Sequence, residues 1–223
     1  MSVQNDSFPA LSGVFPASDG LGSAPAVTKN ISVKRALDVL LSLAAFFVFL
    51  PILAVILVAV VLDSPGPAFF RQRRVGQYGK IFNIYKFRSM HVLEDGAQVV
   101  QACEGDARIT RLGKFLRITS LDELPQLLNV LAGDMSLVGP RPERPEFIEE
   151  LAKQLPLYHE RHAVKAGLTG WAQVNYPYGA SLDDARSKLS YDLYYVKNFN
   201  LLLDFKIMLQ TLRVVVWAGA DAR

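Results

Sequence analysis

A chain of 223 residues is long enough to bury one sizeable core, and 51% of this one is hydrophobic, near the upper end for a soluble domain. Cys103 is the only cysteine, which excludes an intrachain disulfide and a multi-cysteine metal site. The net charge of +3 is small but unevenly placed: Met1 to Thr28 carries no Lys or Arg, whereas both crowd the stretch from Arg71 to Arg117.

Residues 1–30 are rich in Ser, Gly, Pro and Ala without periodicity, and read as a flexible tail. Residues 31–67 read as a membrane segment. From Val39 to Leu62 the only polar residue is Ser42. Those 24 residues would make a helix of about 36 Å, against a hydrocarbon core of about 30 Å. The run is too long and starts too late for a cleaved signal peptide. Pro51 lies mid-run and removes a helical N–H, so a break or kink is expected there. Basic residues flank both sides: Lys29, Lys34 and Arg35 before, and Arg71, Arg73, Arg74 and Lys80 after. The positive-inside rule asks both ends to stay cytoplasmic. A re-entrant helix broken at Pro51 meets that demand; a plain kinked transmembrane helix is the alternative.

"AFFRQRRVGQYGKIFNIYKFRSM" reads as a β-hairpin turning at Gly76–Lys80. From Asp106 onward the pattern is mostly helical, interrupted by "GDMSLVGPRPERP", and "GLTGWAQVNYPYG" reads as an irregular loop. Residues 199–217 form an amphipathic helix with Leu201, Phe205, Met208, Leu212 and Val216 on one face. That face suits the protein core or a membrane interface. The expected fold is therefore mainly α with a small β-hairpin.

"SLDELPQL" places two carboxylates, Asp122 and Glu123, side by side. A helix start explains them without catalysis. Ser120 as N-cap with Glu123 at N3 makes a capping box, or Asp122 is the N-cap and Pro125 falls in the first turn. Adjacent helical residues point about 100° apart, so they cannot flank a glycosidic bond as a glycosidase pair does. They can serve one phosphorus and one metal together, and oxygen ligands of this kind suit Mg²⁺. Arg141 is the best-placed phosphate clamp, because the prolines of "GPRP" restrict the backbone around it. Most other basic residues suit anionic lipid headgroups, and the long apolar anchor argues against nucleic acid. His159 and His162 form H-x-x-H, without the spacing of a zinc protease motif, and read as surface residues.

"KRALDVLLSLAAFFVFLPIL", "FFRQRRVGQYGKIFNIYKFRSM", "RLGKFLRITSLDELPQLLNVLAGDMSLVGPRPERPEF" and "GLTGWAQVN" occur in this order. Together they resemble the bacterial sugar transferases of the monotopic polyprenyl-phosphate phosphoglycosyl transferase type, from about Val33 to the C-terminus. The resemblance implies a cytosolic catalytic domain, over residues 68–198, on the cytoplasmic face of the bacterial inner membrane. It implies transfer of a sugar-1-phosphate from a UDP-sugar to undecaprenyl phosphate, with release of UMP, as the initiating step of exopolysaccharide synthesis. By that likeness Asp122 is the nucleophile and Glu123 assists at Mg²⁺. Lys86, Arg88, Arg141 and Gln173 bind substrate, and Pro51 breaks the membrane helix. Ala166 and Ile118 depart from the family pattern, which has proline and a basic residue there. Many of the longer relatives carry a large N-terminal membrane domain where this chain has a short tail. A non-catalytic membrane adaptor is the rival reading, and the oligomeric state, homo-oligomer included, stays open.

Overall fold

The computed structural model describes residues 25–92, 106–176, 179 and 181–221. Cys103, Tyr178 and the tail as far as residue 24 lie outside the described residues. Helix α1 (Pro25–Asp63) leads into an antiparallel hairpin, β1 (Phe69–Val75) and β2 (Ile81–Phe87). Then come α2 (Arg111–Ile118), α3 (Gln126–Ala132), β3 (Met135–Val138) and α4 (Pro145–Gln154). Strand β4 (Ala166–Thr169), α5 (Trp171–Asn175), α6 (Leu182–Asn198) and α7 (Leu201–Asp221) complete the chain.

The hairpin register runs from Phe69 opposite Phe87 to Val75 opposite Ile81, with Tyr78 at φ 53° in the turn. Alternation along β2 turns Phe82 and Ile84 inward, where they pack with Val130 of α3 and Met135 of β3. Asn129 of α3 locks the same contact: Nδ2 donates to the Asn83 carbonyl at 2.7 Å and Oδ1 accepts from the Tyr85 N–H at 3.0 Å. "GLTGWAQVN" is not an irregular loop. Its first half is β4, which pairs in parallel with β3, and its second half is α5. Gly139 and Gly167 permit that pairing. A Cβ on Gly167 would stand 2.1 Å from the Gly139 nitrogen. Capping follows local rules at α2, where Thr110 accepts from the Gly113 N–H, and at α6, where Ser181 and Asp184 form a capping box.

Helix α1 begins earlier than the apolar run and continues through Pro51 without interruption. The missing N–H at Pro51 therefore removes one bond without ending the helix, as happens where the flanking turns carry the backbone. Phe47, Val48 and Val55 are more than two-thirds exposed, while Leu53, Ile56 and Val60 pack on Phe87 and Leu116. Near its start, Lys34 reaches the Val138 carbonyl at 3.1 Å and Asp204 at 2.6 Å, and Arg35 donates to the Val130 and Leu131 carbonyls. At its end, Arg88 donates to the carbonyls of Val60, Ser64 and Pro65. Both ends of α1 are thus fastened to one folded body.

Helix α7 splits the apolar face that its periodicity marks: Met208 packs on the core, whereas Phe205 and Leu212 of that face do not. Asp204 and Ile207 are buried, whereas Phe205 and Leu212 are 57% and 65% exposed. The reason is polar. Asp204 accepts from the Tyr195 hydroxyl at 2.7 Å and from Lys34, which draws its side of the helix into the core. Leu202, Phe205, Leu209 and Leu212 are left as an outward apolar stripe. His162 also differs from its surface reading: it is 5% exposed, packed against the Tyr158 ring.

Candidate active site

Leu121–Glu123 forms one 3-10 turn between α2 and α3. Ser120 adopts φ 55° and its side chain caps nothing; α3 starts later, with Pro125 as its N-cap residue. Neither capping role expected for "SLDE" is realised, so neither carboxylate is spent on a helix cap. Asp122 is 6% exposed, and no hydrogen bond reaches its carboxyl among the described residues. Burial pushes that carboxyl up to about 6, against the pull of Lys86.

Glu123 is held from two sides. Lys86 Nζ lies 2.6 Å from Oε1; Arg141 forks over both oxygens, with Nη1 3.1 Å from Oε2 and Nη2 on Oε1. Burial raises the Glu123 carboxyl, but Arg141 and Lys86 outweigh it and hold it well below the usual carboxylate range. Glu123 in turn raises the Arg141 guanidinium. Burial lowers the Lys86 ammonium, partly offset by Glu123. β2 delivers Lys86 here because it shares the inward face of Phe82 and Ile84.

Arg141 rides on a loop whose main chain is tied at nearly every step. The Val138 carbonyl accepts from Lys34 and from the Tyr195 hydroxyl. The Gly139 N–H bonds the Thr169 carbonyl, and the Gly167 N–H bonds the Pro140 carbonyl. Arg161 Nη2 donates to the Arg141 carbonyl at 2.9 Å, and Arg74 Nη1 to that of Pro142 at 3.0 Å. Arg161 is itself buried, ion-paired to Asp192 at 2.7 Å and bonded to the Tyr158 hydroxyl. Sequence reasoning missed Arg161, because nothing in "YHERHA" distinguishes a buried arginine from a surface one. Arg161→Met is expected to destabilise the fold by about 3–5 kcal/mol, since Asp192 would be left a buried unpaired charge. A denaturant midpoint measurement checks it.

The structure brings Asp122, Glu123, Lys86 and Arg141 together. Arg88 stands differently: its buried guanidinium is occupied by the three carbonyls ending α1. It supplies what a helix C-terminus lacks. Arg88→Met is expected to cost about 2–3 kcal/mol of stability. The kinetic constants of the folded fraction should stay near wild type, and a large KM rise for nucleotide substrate would contradict this. Gln173 sits on α5 with Nε2 3.3 Å from the Leu168 carbonyl, and no hydrogen bond links it to the acid pair. A cavity of about 330 Å³, lined by Tyr78, Lys80, Phe82, Gly133, Asp134 and Lys165, lies at the hairpin turn and the far end of α3 from the acids.

No group of three or more His, Cys, Asp or Glu capable of holding a metal occurs among the described residues. The donor set at the acid pair still fits Mg²⁺. That ion needs one or two carboxylates, its remaining positions being filled by water and substrate phosphate.

The sequence profile of the family described as "Bacterial sugar transferase" matches residues 29–218. The chain is 46% identical over 193 residues to the UDP-N-acetylgalactosamine-undecaprenyl-phosphate N-acetylgalactosaminephosphotransferase of Aeromonas hydrophila, covering 86% of this chain and 45% of that protein. It is 44% identical over 184 residues to the UDP-glucose:undecaprenyl-phosphate glucose-1-phosphate transferase of Escherichia coli K12, covering 82% and 40%. The chain thus spans less than half the length of these two relatives. It is also 44% identical over 191 residues to the exopolysaccharide production protein PSS of Rhizobium leguminosarum bv. phaseoli, covering 82% and 94%. A profile match across most of the chain, together with these identities, shows that the protein belongs to the bacterial sugar transferase family.

Proposed function

We propose that this protein is a phosphoglycosyl transferase that moves a sugar-1-phosphate from a UDP-sugar to undecaprenyl phosphate and releases UMP, as the first step of exopolysaccharide synthesis. The observation that carries the proposal is the acid pair, a buried Asp122 beside a part-buried Glu123 that is held by Lys86 and Arg141. Two cations of different geometry beside two carboxylates suit a phosphoanhydride whose charge must be neutralised while a nucleophile approaches. The names of the relatives support the same substrate classes.

In the first half-reaction an Asp122 oxygen bonds the phosphorus that carries the sugar. The bond from that phosphorus to the bridging oxygen breaks, and its electron pair leaves with UMP. In the second, an oxygen of undecaprenyl phosphate bonds the same phosphorus and the Asp122 oxygen departs. The phosphates of the donor take over Arg141 and Lys86, which releases the Glu123 carboxylate. Mg²⁺, held by Glu123 with Asp122 beside it, would neutralise charge developing on the phosphate oxygens.

The proposed topology is re-entrant, with both ends of α1 at the cytoplasmic face. Support comes from the two anchors. Arg35 and Ser64 are both bonded to the same body, yet a straight helix between them would be about 44 Å long, more than the roughly 30 Å hydrocarbon core. In a Cys103→Ser background, cysteines at Ser32 and Lys153 should both resist a periplasmic thiol reagent. Labelling of Ser32 alone would establish a span. The function itself is tested with a panel of UDP-sugars and undecaprenyl phosphate, scored by UMP release. No release with any donor would favour the adaptor reading.

A further inference from the structure

Gln126 is 1% exposed, and its Nε2 is buried without a hydrogen-bond partner. Leaving such a donor unpaired costs about 1–3 kcal/mol. An apolar side chain of the same shape would pack there at no such cost, so folding alone does not account for a glutamine.

Its position is informative. The backbone stays helical from the 3-10 turn through Leu124 (φ −54°, ψ −35°) and Pro125 (φ −60°, ψ −16°) into α3. Gln126 is therefore one turn beyond the acids, four residues after Asp122 and three after Glu123, the spacings at which helical side chains are neighbours. Helical side chains lean toward the N-terminus, which here means toward the acids. The next residues at these spacings are Asn129, with its amide bonded twice to β2, and Val130, packed on Phe82 and Ile84. Lys86 continues the same face of β2 and holds Glu123. Gln126 falls between these two fastened pairs and is fastened to neither. The site thus contains a donor without an acceptor and, in Asp122, an acceptor without a donor, one helical turn apart.

We infer that Gln126 is a positioning residue for Asp122. Its side-chain N–H, unpaired in the structure, would donate to the carboxylate oxygen that does not attack once Asp122 engages the phosphorus, and so fix the direction of the one that does. The amide keeps its proton throughout and gains no bond to substrate. The inference rests on the reading of Asp122 as nucleophile.

The test replaces Gln126 with Met, which keeps the length and removes the donor. Adduct formation from UDP-sugar and Mg²⁺, without lipid acceptor, is followed by intact mass in single-turnover experiments, alongside Tm. The expected result is an adduct rate about 100-fold lower, as misdirected reacting groups give. KM for UDP-sugar should stay within about twofold and Tm should be unchanged or higher, since an orphaned buried donor has gone. Gln126→Leu, which also lacks any donor, should show the same loss of rate. A wild-type adduct rate in Gln126→Met overturns the inference. So does a lower Tm with an unchanged rate per folded molecule, the pattern of a purely structural amide. A wild-type protein that forms no adduct removes the nucleophile reading and this inference with it, whereas adduct in the wild type and equally in the variant removes only the inference.

Discussion

Asp122→Asn is expected to abolish the phosphosugar adduct entirely while leaving a folded protein. Incubated with UDP-sugar and Mg²⁺ but no lipid, the wild type should release at most about one UMP per active site and gain the mass of one phosphosugar on Asp122. The asparagine amide has no comparable nucleophilic oxygen, so both signals should vanish. Stability should move the other way. The Asp122 carboxyl is buried and its pKa is raised to about 6, so the folded state binds its proton more tightly than the unfolded chain does. At pH 7 the ionised group therefore destabilises the fold, by about 1–3 kcal/mol after allowance for its incomplete burial. Without added Mg²⁺, the variant should unfold at a higher temperature than wild type above about pH 6. That advantage should shrink as the pH falls from 6 toward 4, where wild type regains its proton. A helix-capping Asp122 would give the opposite sign, a variant no more stable and still active. A folded Asp122→Asn enzyme with full turnover would end the nucleophile reading.

The membership of the candidate site was more legible in the sequence than its architecture. Asp122, Glu123 and Arg141 announce themselves by residue type and by the prolines around Arg141, and the structure gathers them with Lys86. Arg88 looked identical to its neighbours because a guanidinium that ends a helix and one that binds phosphate use the same donors. Only the third dimension shows the Val60, Ser64 and Pro65 carbonyls in front of it. The β3–β4 pair was invisible for another reason. Each strand has four residues, too few for alternation to register, and their parallel pairing joins segments almost thirty residues apart. On α7 the apolar period left core and membrane interface open for one face, and the structure divides that face: Met208 packs on the core while Phe205 and Leu212 stay exposed. Periodicity weighs only side chains on one helix, and it cannot see Lys34 and the Tyr195 hydroxyl drawing Asp204 inward. Gln126 stood in the quoted motif from the start, yet an unpaired amide is a property of surroundings and not of sequence.

Arg141→Lys is expected to lower kcat/KM for UDP-sugar by about 100-fold although the charge is kept. The reason lies in how the two cations divide their work. Lys86 already supplies a compact charge against one Glu123 oxygen, whereas Arg141 spans both oxygens with two parallel N–H groups. A phosphate that takes the place of Glu123 meets the same planar fork. A lysine there can reach one oxygen only. It cannot recover the second contact by shifting its backbone, because Arg161 and Arg74 hold the carbonyls of Arg141 and Pro142, and β4 holds Pro140. The rigidity that aims the fork therefore prevents its replacement from adapting. The defect should appear in UMP release and in adduct formation alike, while Tm changes little, since Arg141 is half-exposed. Double substitution with Glu123→Gln should lose less than the sum of the two single effects, because the two residues act on the same phosphate and on each other. A near-normal kcat/KM in Arg141→Lys would show that charge alone suffices at this position, and would leave the bidentate clamp without support.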